Sequence, residues 1–213
     1  MTQCFLVEQT GARKITSSTA WGTCAKDPWA AYGKPQHRAT VTTFEGSKED
    51  ADRAYNDRER RWEPFHAVCK HCGEDGGVRM PESTGMHPMW VRRDTGEIKD
   101  HVRDFGVGAL YYADWEHSDR TDTEGRLLWG FDWDNLYEPP LHVITPGGEW
   151  NIDARASNCT MKNDRFHRCW VRHGLPPDVH VDKIGFTCGA GAGSIICGGY
   201  HGFLHNGKLT VTL

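Results

Sequence analysis

The sequence predicts an α+β protein built mainly from antiparallel β-strands. Three observations favour this fold class. The 213 residues include 24 glycines and nine tryptophans, a composition typical of turn-rich chains with few but large core side chains. The chain lacks the regular alternation of strand and helix patterns that a parallel doubly wound sheet requires. Only residues 47–63 carry clear start and stop signals for a helix.

The first 46 residues have the pattern of short strands separated by turns. Phe5–Val7 and Ala39–Phe44 are rich in β-branched and aromatic residues. Glycines punctuate the region at Gly11, Gly22, Gly33 and Gly46. We therefore expect an N-terminal β lobe.

The single predicted helix spans residues 47–63. Ser47 followed by Asp50 resembles a capping box with aspartate in place of glutamate, and Pro64 closes the segment. Five basic and five acidic residues nearly cancel between residues 48 and 62, which favours a solvated surface face over a binding face. The apolar side chains form only a thin stripe, consisting of Ala51, Tyr55 and Trp62.

The stretch Cys69-Lys70-His71-Cys72-Gly73 predicts a zinc knuckle. Two cysteines separated by two residues can present both thiolates to one metal ion, and the glycine permits the left-handed turn that aims backbone N–H groups at the sulfurs. Strand-like residues precede and follow the stretch, at 65–68 and 78–80. The sequence thus predicts a zinc-knuckle hairpin.

A closed zinc site needs two further ligands, and no second Cys-x-x-Cys pair exists. We expect the knuckle to be joined by a distant cysteine or histidine pair. His66 and His71 are alternative ligands close to the knuckle in sequence. The competing interpretation is that no metal binds, so that the knuckle cysteines are free thiols and the other cysteines pack as small core residues. A glycine-rich turn lies between Cys188 and Cys197. The sequence does not decide whether these two cysteines bind metal or pack in the core. The candidate Zn²⁺ ligands are Cys69, Cys72, His87, Cys159, His167, Cys169 and His201.

The residues after the knuckle are predicted to form further strands. We expect the whole chain, residues 1–213, to fold as one compact domain. Its sub-lobes would be residues 1–63, with the helix, and 64–213, with the knuckle. A hairpin is expected at 89–98, a strand or short helix at 107–117, and strands at 127–133, 141–144, 166–172 and 200–212. The predicted core side chains are Trp129, Phe131, Trp133, Trp170, Phe186 and Phe203.

Charge and apolar patterning narrow the classes of function. The net charge of −4 argues against nucleic-acid binding. No apolar run approaches 18 residues, so we expect no membrane association. The first residues lack the features of a secretion signal, so we expect a cytoplasmic protein with reduced thiols. The even count of eight cysteines leaves a disulfide framework as the alternative.

Catalytic motifs give little support for an enzyme. His-Glu-x-x-His is absent, and His66-Ala67-Val68 lacks the glutamate of the zinc deaminases. The segment 189–194 is rich in glycine, yet no Gly-Lys-Ser/Thr follows it, so it is not a P-loop. We therefore favour a protein that is not an enzyme.

Three motifs resemble a family of small phage and prophage proteins of unknown function, some of them labelled ammonia-monooxygenase-like. Cys69 and Cys72 match the family's Cys-x-x-Cys element. Residues 128–132 followed by Pro139-Pro140 match its Trp-x-Phe-Asn/Asp segment. Residues 200–209 match its Cys-His-x-Phe hairpin, through His201, Phe203, Leu204, Gly207 and Leu209. Tyr200 replaces the family's cysteine, whereas a similar hairpin at 166–174 keeps a cysteine, Cys169, without the following histidine.

The resemblance implies phage origin and a metal-stapled β-rich fold, but no reaction. We expect a non-enzymatic, zinc-stabilised accessory protein that binds a host or virion protein, located in the host cytoplasm or associated with the virion. One alternative is a zinc-dependent enzyme or nucleotide-binding protein that uses the Cys-, His- and Gly-rich region 159–201. Another is a structural component of the virion.

Overall fold

A computed structural model confirms the predicted fold class, a mainly antiparallel β protein with little helix. It describes residues 1–28, 33–114, 117–121, 127–129, 139–156, 158–161, 163–164, 167, 169–184, 188–190 and 193–211. Within these ranges no helix is long and apolar enough to cross a membrane. In chain order the elements are β1 Thr2–Gln3, β2 Phe5–Trp21, β3 His37–Ser47, α1 Lys48–Asn56, α2 Arg58–Arg61, β4 Phe65–Val68, β5 Asp75–Arg79, β6 Ser83–Arg92, β7 Ile98–Lys99, a 3₁₀ turn Val102–Phe105, β8 Ala109–Tyr112, β9 His117–Thr121, β10 Leu127–Trp129, β11 Leu141–Thr145, β12 Gly148–Asn151, β13 Val171–His173, β14 His180–Asp182, β15 Ile195–Cys197, β16 Tyr200–His205 and β17 Lys208–Val211.

The chain forms two compact units. Gln9–Met89 make up one, here called the inserted unit, because its sequence interrupts the other. Met1–Glu8 together with Trp90–Leu213 make up the second, the split unit. The sub-lobe boundary predicted between residues 63 and 64 falls inside the inserted unit.

A long antiparallel hairpin of β2 and β3 forms the frame of the inserted unit. Its register runs from Ala12 opposite Ser47 to Trp21 opposite His37, with an irregularity after Ile15. The predicted strands at Phe5–Val7 and Ala39–Phe44 both form, but as parts of the longer β2 and β3. Gly11 does not end β2, which accommodates it at a φ of 82°. Alternate residues of β2 are buried, among them Ile15, Ser17 and Thr19, the two-residue period of a strand with one covered face.

The predicted helix begins where the sequence places it and is interrupted near its end. Ser47 is the N-cap of α1, and its hydroxyl accepts the N–H of Asp50 at 3.2 Å. The chain leaves the helical conformation at Asp57 and resumes it in the four-residue α2. Ala51 is buried, whereas Trp62 is 38 % exposed, as expected for a surface helix with a thin apolar stripe.

The split unit contains two groups of paired strands. One is antiparallel, in the order β1, β17, β16, β15. The other places β12, β11 and β8 beside the first residues of β2, which run parallel to β8 with Phe5 opposite Ala109. Two-stranded hairpins form from β9 with β10 and from β13 with β14. The predicted hairpin at 89–98 forms between β6 and β7 and turns at Gly96 with a φ of 75°.

A large apolar cluster fills the split unit. Its members are buried strand residues, including Leu110, Leu141, Val143, Trp150, Ile195 and Leu204. Of the predicted core side chains, Trp170 packs against this cluster while partly exposed, and Phe203 is also partly exposed. Phe131, Trp133, Phe186 and the side chain of Trp129 lie outside the described residues.

Glu149 connects neighbouring strands of the split unit. Its carboxylate accepts the Nδ1–H of His142 at 2.8 Å and lies 2.8 Å from an Arg103 guanidinium nitrogen. The hydrogen bond from His142 is the largest cause that lowers the pKa of Glu149 to about 2, with Tyr111 and Arg103 adding to it against partial burial. Glu149 is therefore ionised throughout the neutral range.

Replacement of Glu149 by Gln should reduce the acid dependence of stability. The lowered pKa means that the carboxylate stabilises the fold fully above about pH 5 and that this contribution is lost as the pH falls toward 2. We expect Glu149→Gln to cost about 1–3 kcal/mol at pH 7 and less at pH 3, measured by urea unfolding at both pH values. Glu97→Gln, in an exposed ion pair with Lys99, is the matched control. An equal loss at both pH values would contradict the assigned role.

Gly202 is required by close packing in β16. A Cβ atom at this position would overlap the Thr210 carbonyl oxygen and the Tyr200 ring. We expect Gly202→Ala to lower the free energy of unfolding by about 1–3 kcal/mol. Gly199→Ala in the adjoining turn, where a Cβ atom meets nothing within 4 Å, should be near neutral. Thermal melts of both variants test the difference, and equal melting temperatures would show that β16 tolerates the methyl group.

Candidate metal centres

Three cysteines and one histidine converge in the inserted unit. The thiols of Cys24, Cys69 and Cys72 and the ring of His37 place one donor atom each within 4.8 Å of all the others. We call this group centre 1. Cys24 follows β2, His37 begins β3, and the other two cysteines lie in the turn between β4 and β5. The long β2–β3 hairpin and the predicted knuckle thus supply two ligands each.

Backbone hydrogen bonds shape the knuckle. The Cys69 N–H donates to the Glu74 carbonyl and the Gly73 N–H donates to the Cys69 carbonyl, both at 2.8 Å. Gly73 has a φ of 81°, the left-handed conformation that glycine adopts without strain. The Lys70 N–H donates to the Arg38 carbonyl at 3.0 Å, which fastens the knuckle to β3.

A second tight turn presents Cys24. The Asp27 N–H donates to the Cys24 carbonyl at 3.2 Å, and the Cys24 N–H donates to the Pro35 carbonyl at 3.4 Å. The buried Asp27 carboxylate accepts the Gln36 N–H at 2.9 Å. These bonds hold the two sides of the 24–37 segment together next to His37.

The spacing of the donor atoms suits one tetrahedral ion. The sulfurs of Cys24 and Cys69 are 3.9 Å apart, and the Cys72 sulfur lies 3.3 Å from His37 Nδ1. Zinc–ligand bonds of ordinary length imply about 3.8 Å between two sulfurs and about 3.5 Å between sulfur and nitrogen. A disulfide would need about 2.05 Å, and all eight cysteines are free thiols.

Electrostatics prepare centre 1 for a cation. Burial raises the pKa of the Cys69 thiol, but the N–H groups of His71 and Arg38, the His37 side chain and the Cys72 N–H together outweigh it and lower the pKa to about 5. Burial dominates at Cys24 and raises the pKa of its thiol. Centre 1 therefore holds a stabilised thiolate beside a thiol that a bound cation would help to ionise.

Contacts away from the other three donor atoms fix the orientation of the His37 ring. Its Nε2 lies 3.2 Å from the Glu74 carboxylate, while Nδ1 faces Cys72. The ring also stacks on Trp21, with centroids 5.4 Å apart. A carboxylate on the second ring nitrogen fixes the tautomer and orientation of a metal-binding histidine.

A second group of three cysteines and one histidine lies in the split unit. The donor atoms of Cys159, His167, Cys169 and Cys188 also lie within 4.8 Å of one another, and we call this group centre 2. The Cys169 sulfur is 3.8 Å from the Cys188 sulfur and 3.7 Å from His167 Nε2. These distances again suit a tetrahedral ion.

Three of the four residues of centre 2 are buried, and Cys188 is partly buried. His167 is 0 % exposed, and its Nδ1 finds no hydrogen-bond partner among the described residues, an uncommon state for a buried polar atom. Burial raises the pKa of Cys169 to about 12. Burial alone would also raise the pKa of the Cys188 thiol. Hydrogen bonds from the Thr160 and Ala190 N–H groups and from the His167 and Cys169 side chains outweigh burial and lower this pKa to about 6. Lys183 Nζ holds this turn by donating to the Cys188 and Ala190 carbonyls, both at 3.1 Å.

Five of the seven predicted ligands fall in the two centres. Cys69 and Cys72 lie in centre 1, and Cys159, His167 and Cys169 lie in centre 2. His87, on β6, and His201, whose Nε2 is 3.1 Å from Ser194 Oγ, belong to neither. His66 instead pairs with Asp75 at 3.0 Å.

Sequence reasoning missed Cys24 and His37, and it left Cys188 undecided between metal binding and core packing. One signal pointed to Cys188: it is next to a glycine-rich turn, as Cys72 is next to Gly73. The pair Cys24 and His37 carries no local motif, and only the pairing of β2 with β3 brings it to the knuckle.

Comparisons with known proteins add no relative. No protein-family model, no curated protein and no solved structure matches the chain.

Glu74→Gln should weaken metal binding at centre 1 without removing a ligand. Loss of the carboxylate leaves His37 less firmly oriented, and such changes typically cost 10–100-fold in affinity. Competition with a chromophoric chelator would measure the change. The control is Glu82→Gln, an exposed residue on the same unit. Equal affinities for the two variants would show that the contact between Glu74 and His37 does not support the site.

Proposed function

We propose that centres 1 and 2 each bind one Zn²⁺ and that the chain is a zinc-stabilised, non-enzymatic binding protein. The observation that carries the proposal is the number of donors: each centre assembles four protein ligands at tetrahedral spacing. Structural zinc sites are closed in this way, whereas catalytic ones keep a position for water or substrate. Three thiols and one imidazole also favour zinc over magnesium or calcium, which prefer oxygen ligands.

Each centre would cross-link parts of the chain that are distant in sequence or poor in regular secondary structure. Centre 1 joins segments that are up to 48 positions apart, from Cys24 to Cys72. Centre 2 gathers the region 159–188, whose described regular structure is limited to the two three-residue strands β13 and β14. Short strands bury little apolar area, so metal-binding energy would supply folding energy at centre 2. At centre 1 it would fasten the short β4–β5 hairpin to the long β2–β3 hairpin.

An exposed apolar face on the β4–β5 hairpin supports a protein-binding role. Val68, Val78 and Met80 are 47 %, 73 % and 57 % exposed. His66 is paired with Val78, and the register shifts before Val68, which is paired with Asp75. Val68 and Val78 therefore lie on the exposed side of the hairpin beside the His66–Asp75 ion pair, and Met80 directly follows β5. Centre 1 would hold this face rigid, and rigid apolar faces are typical of protein interfaces. We propose that its occupant is the apolar surface of a host or virion protein, in line with the phage-protein resemblance.

Metal analysis tests the zinc proposal. Purified protein should contain two equivalents of zinc by elemental emission, and Cys72→Ser and Cys169→Ser should each retain one. Cys197→Ser, outside both centres, should retain two. X-ray absorption should report sulfur and nitrogen ligands in a 3:1 ratio. A bound water in place of a protein ligand would favour the catalytic alternative.

Cys72→Ala should destabilise the inserted unit strongly. Loss of a ligand sacrifices metal-binding energy that is also folding energy, so we expect more than about 3 kcal/mol. Thermal melts with and without a chelator measure the effect. A melting curve that neither the substitution nor the chelator shifts would remove centre 1 from the account of stability.

Substitutions on the hairpin test the interface. A partner captured by the wild-type chain should be lost by Val78→Glu and kept by Ile98→Glu, a matched change at an exposed apolar residue of the split unit. Equal capture by both variants would exclude this face as the interface. Co-sedimentation with assembled phage particles that survives both changes would instead favour a structural role in the virion.

A further inference from the structure

A cavity of about 690 Å³ lies beside centre 2. Asn158, Trp170 and Gly189, three of its lining residues, are the immediate chain neighbours of Cys159, Cys169 and Cys188. The volume falls in the range of small-molecule sites. We propose that this cavity binds an uncharged planar heterocycle of the nucleobase or nucleoside class. The inference goes beyond the proposed function, which assigns the chain no small ligand.

Two indole rings give the cavity its aromatic wall. Trp150 and Trp170 meet edge to face, with centroids 5.5 Å apart and planes at 88°. Trp150 is buried, whereas Trp170 is only partly buried. Both indoles line the cavity, and the perpendicular contact restricts the rotation of the Trp170 ring. Aromatic side chains of this kind are the surfaces on which bases stack in nucleic-acid-binding proteins.

Polar groups stand around this aromatic wall. The lining includes the amides of Asn151 and Asn158 and the hydroxyl of Ser194. Asn151 Oδ1 accepts the Asp153 N–H at 2.9 Å, and Ser194 Oγ lies 3.1 Å from His201 Nε2, so two of these groups have fixed orientations. An amide offers both a donor and an acceptor, the combination that the edge of a nucleobase requires.

The charges in the lining favour a neutral ligand. Among the described residues of its lining, Glu149 and Arg155 are charged, and their charges have opposite signs. The Arg155 guanidinium donates to the Met161 carbonyl at 3.3 Å and to the Asp164 carbonyl, and the Glu149 carboxylate is paired with Arg103 and His142. Recognition of a polyphosphate would need several cations aimed into the cavity, and the described lining does not supply them.

Titration of the zinc-containing protein tests the proposal. Adenosine, guanosine, cytidine and uridine would be added separately, with binding followed by tryptophan fluorescence and calorimetry. At least one nucleoside should bind saturably, and its triphosphate should bind no more tightly. Asn158→Ala and Ser194→Ala should each weaken binding about tenfold, while Ser18→Ala in the inserted unit leaves it unchanged.

The outcomes separate this inference from the zinc proposal. Zinc content and melting temperature are measured on the same samples. If two equivalents of zinc are present and no nucleoside binds, the cavity assignment is wrong and the zinc proposal stands. Tighter binding of a triphosphate would overturn the neutral-ligand assignment. Binding that Asn158→Ala and Ser194→Ala leave unchanged, in variants that melt like the wild type, would place the ligand elsewhere.

Discussion

The convergence of four soft donors on one point is the constraint on which each unit depends. Three sulfurs and an imidazole nitrogen lie within 4.8 Å of one another in each group. Three thiolates at this spacing would repel one another, so a cation is the natural centre of such a group. Each unit contains one such group, built entirely from its own residues. The fold of each unit can therefore be understood as the means of bringing distant donors together.

The two centres reach similar geometry by different routes. In centre 1 the regular register of β2 and β3 places His37 opposite Trp21, and the ring is then fixed by stacking and by Glu74. Centre 2 has no long strand beside it in the described residues. Its ligands come from turns, and its order rests on burial and on the Lys183 contacts to two carbonyls. Loss of metal should thus perturb centre 2 over a wider stretch of chain than centre 1.

Local chemistry made part of this molecule predictable. Ser47 caps its helix and Gly73 turns the knuckle because both act on atoms within a few residues. Cys24 and His37 were out of reach because they lie 45 and 32 residues before Cys69 in the sequence. Only the tertiary structure, in which β2 pairs with β3, brings them together at the knuckle. His87 was chosen for its place after the knuckle, yet nearness in sequence on β6 does not bring its ring to centre 1. Gly11 misled for a related reason: a glycine that permits a turn does not impose one.

The cavity beside centre 2 also depends on distant pairing: the sequence singled out the region 159–201 but not the strand residues that complete the cavity wall. Trp150 comes from β12, Trp170 directly precedes β13, and Ser194 directly precedes β15. Only Asn158, Trp170 and Gly189 adjoin metal ligands along the chain. A cation in centre 2 would fix the backbone on either side of Cys159, Cys169 and Cys188, and would thereby fix these three parts of the cavity wall. A site held in shape by a neighbouring closed metal centre needs no reactive metal of its own, so the proposed non-enzymatic role and the proposed small-molecule site are compatible.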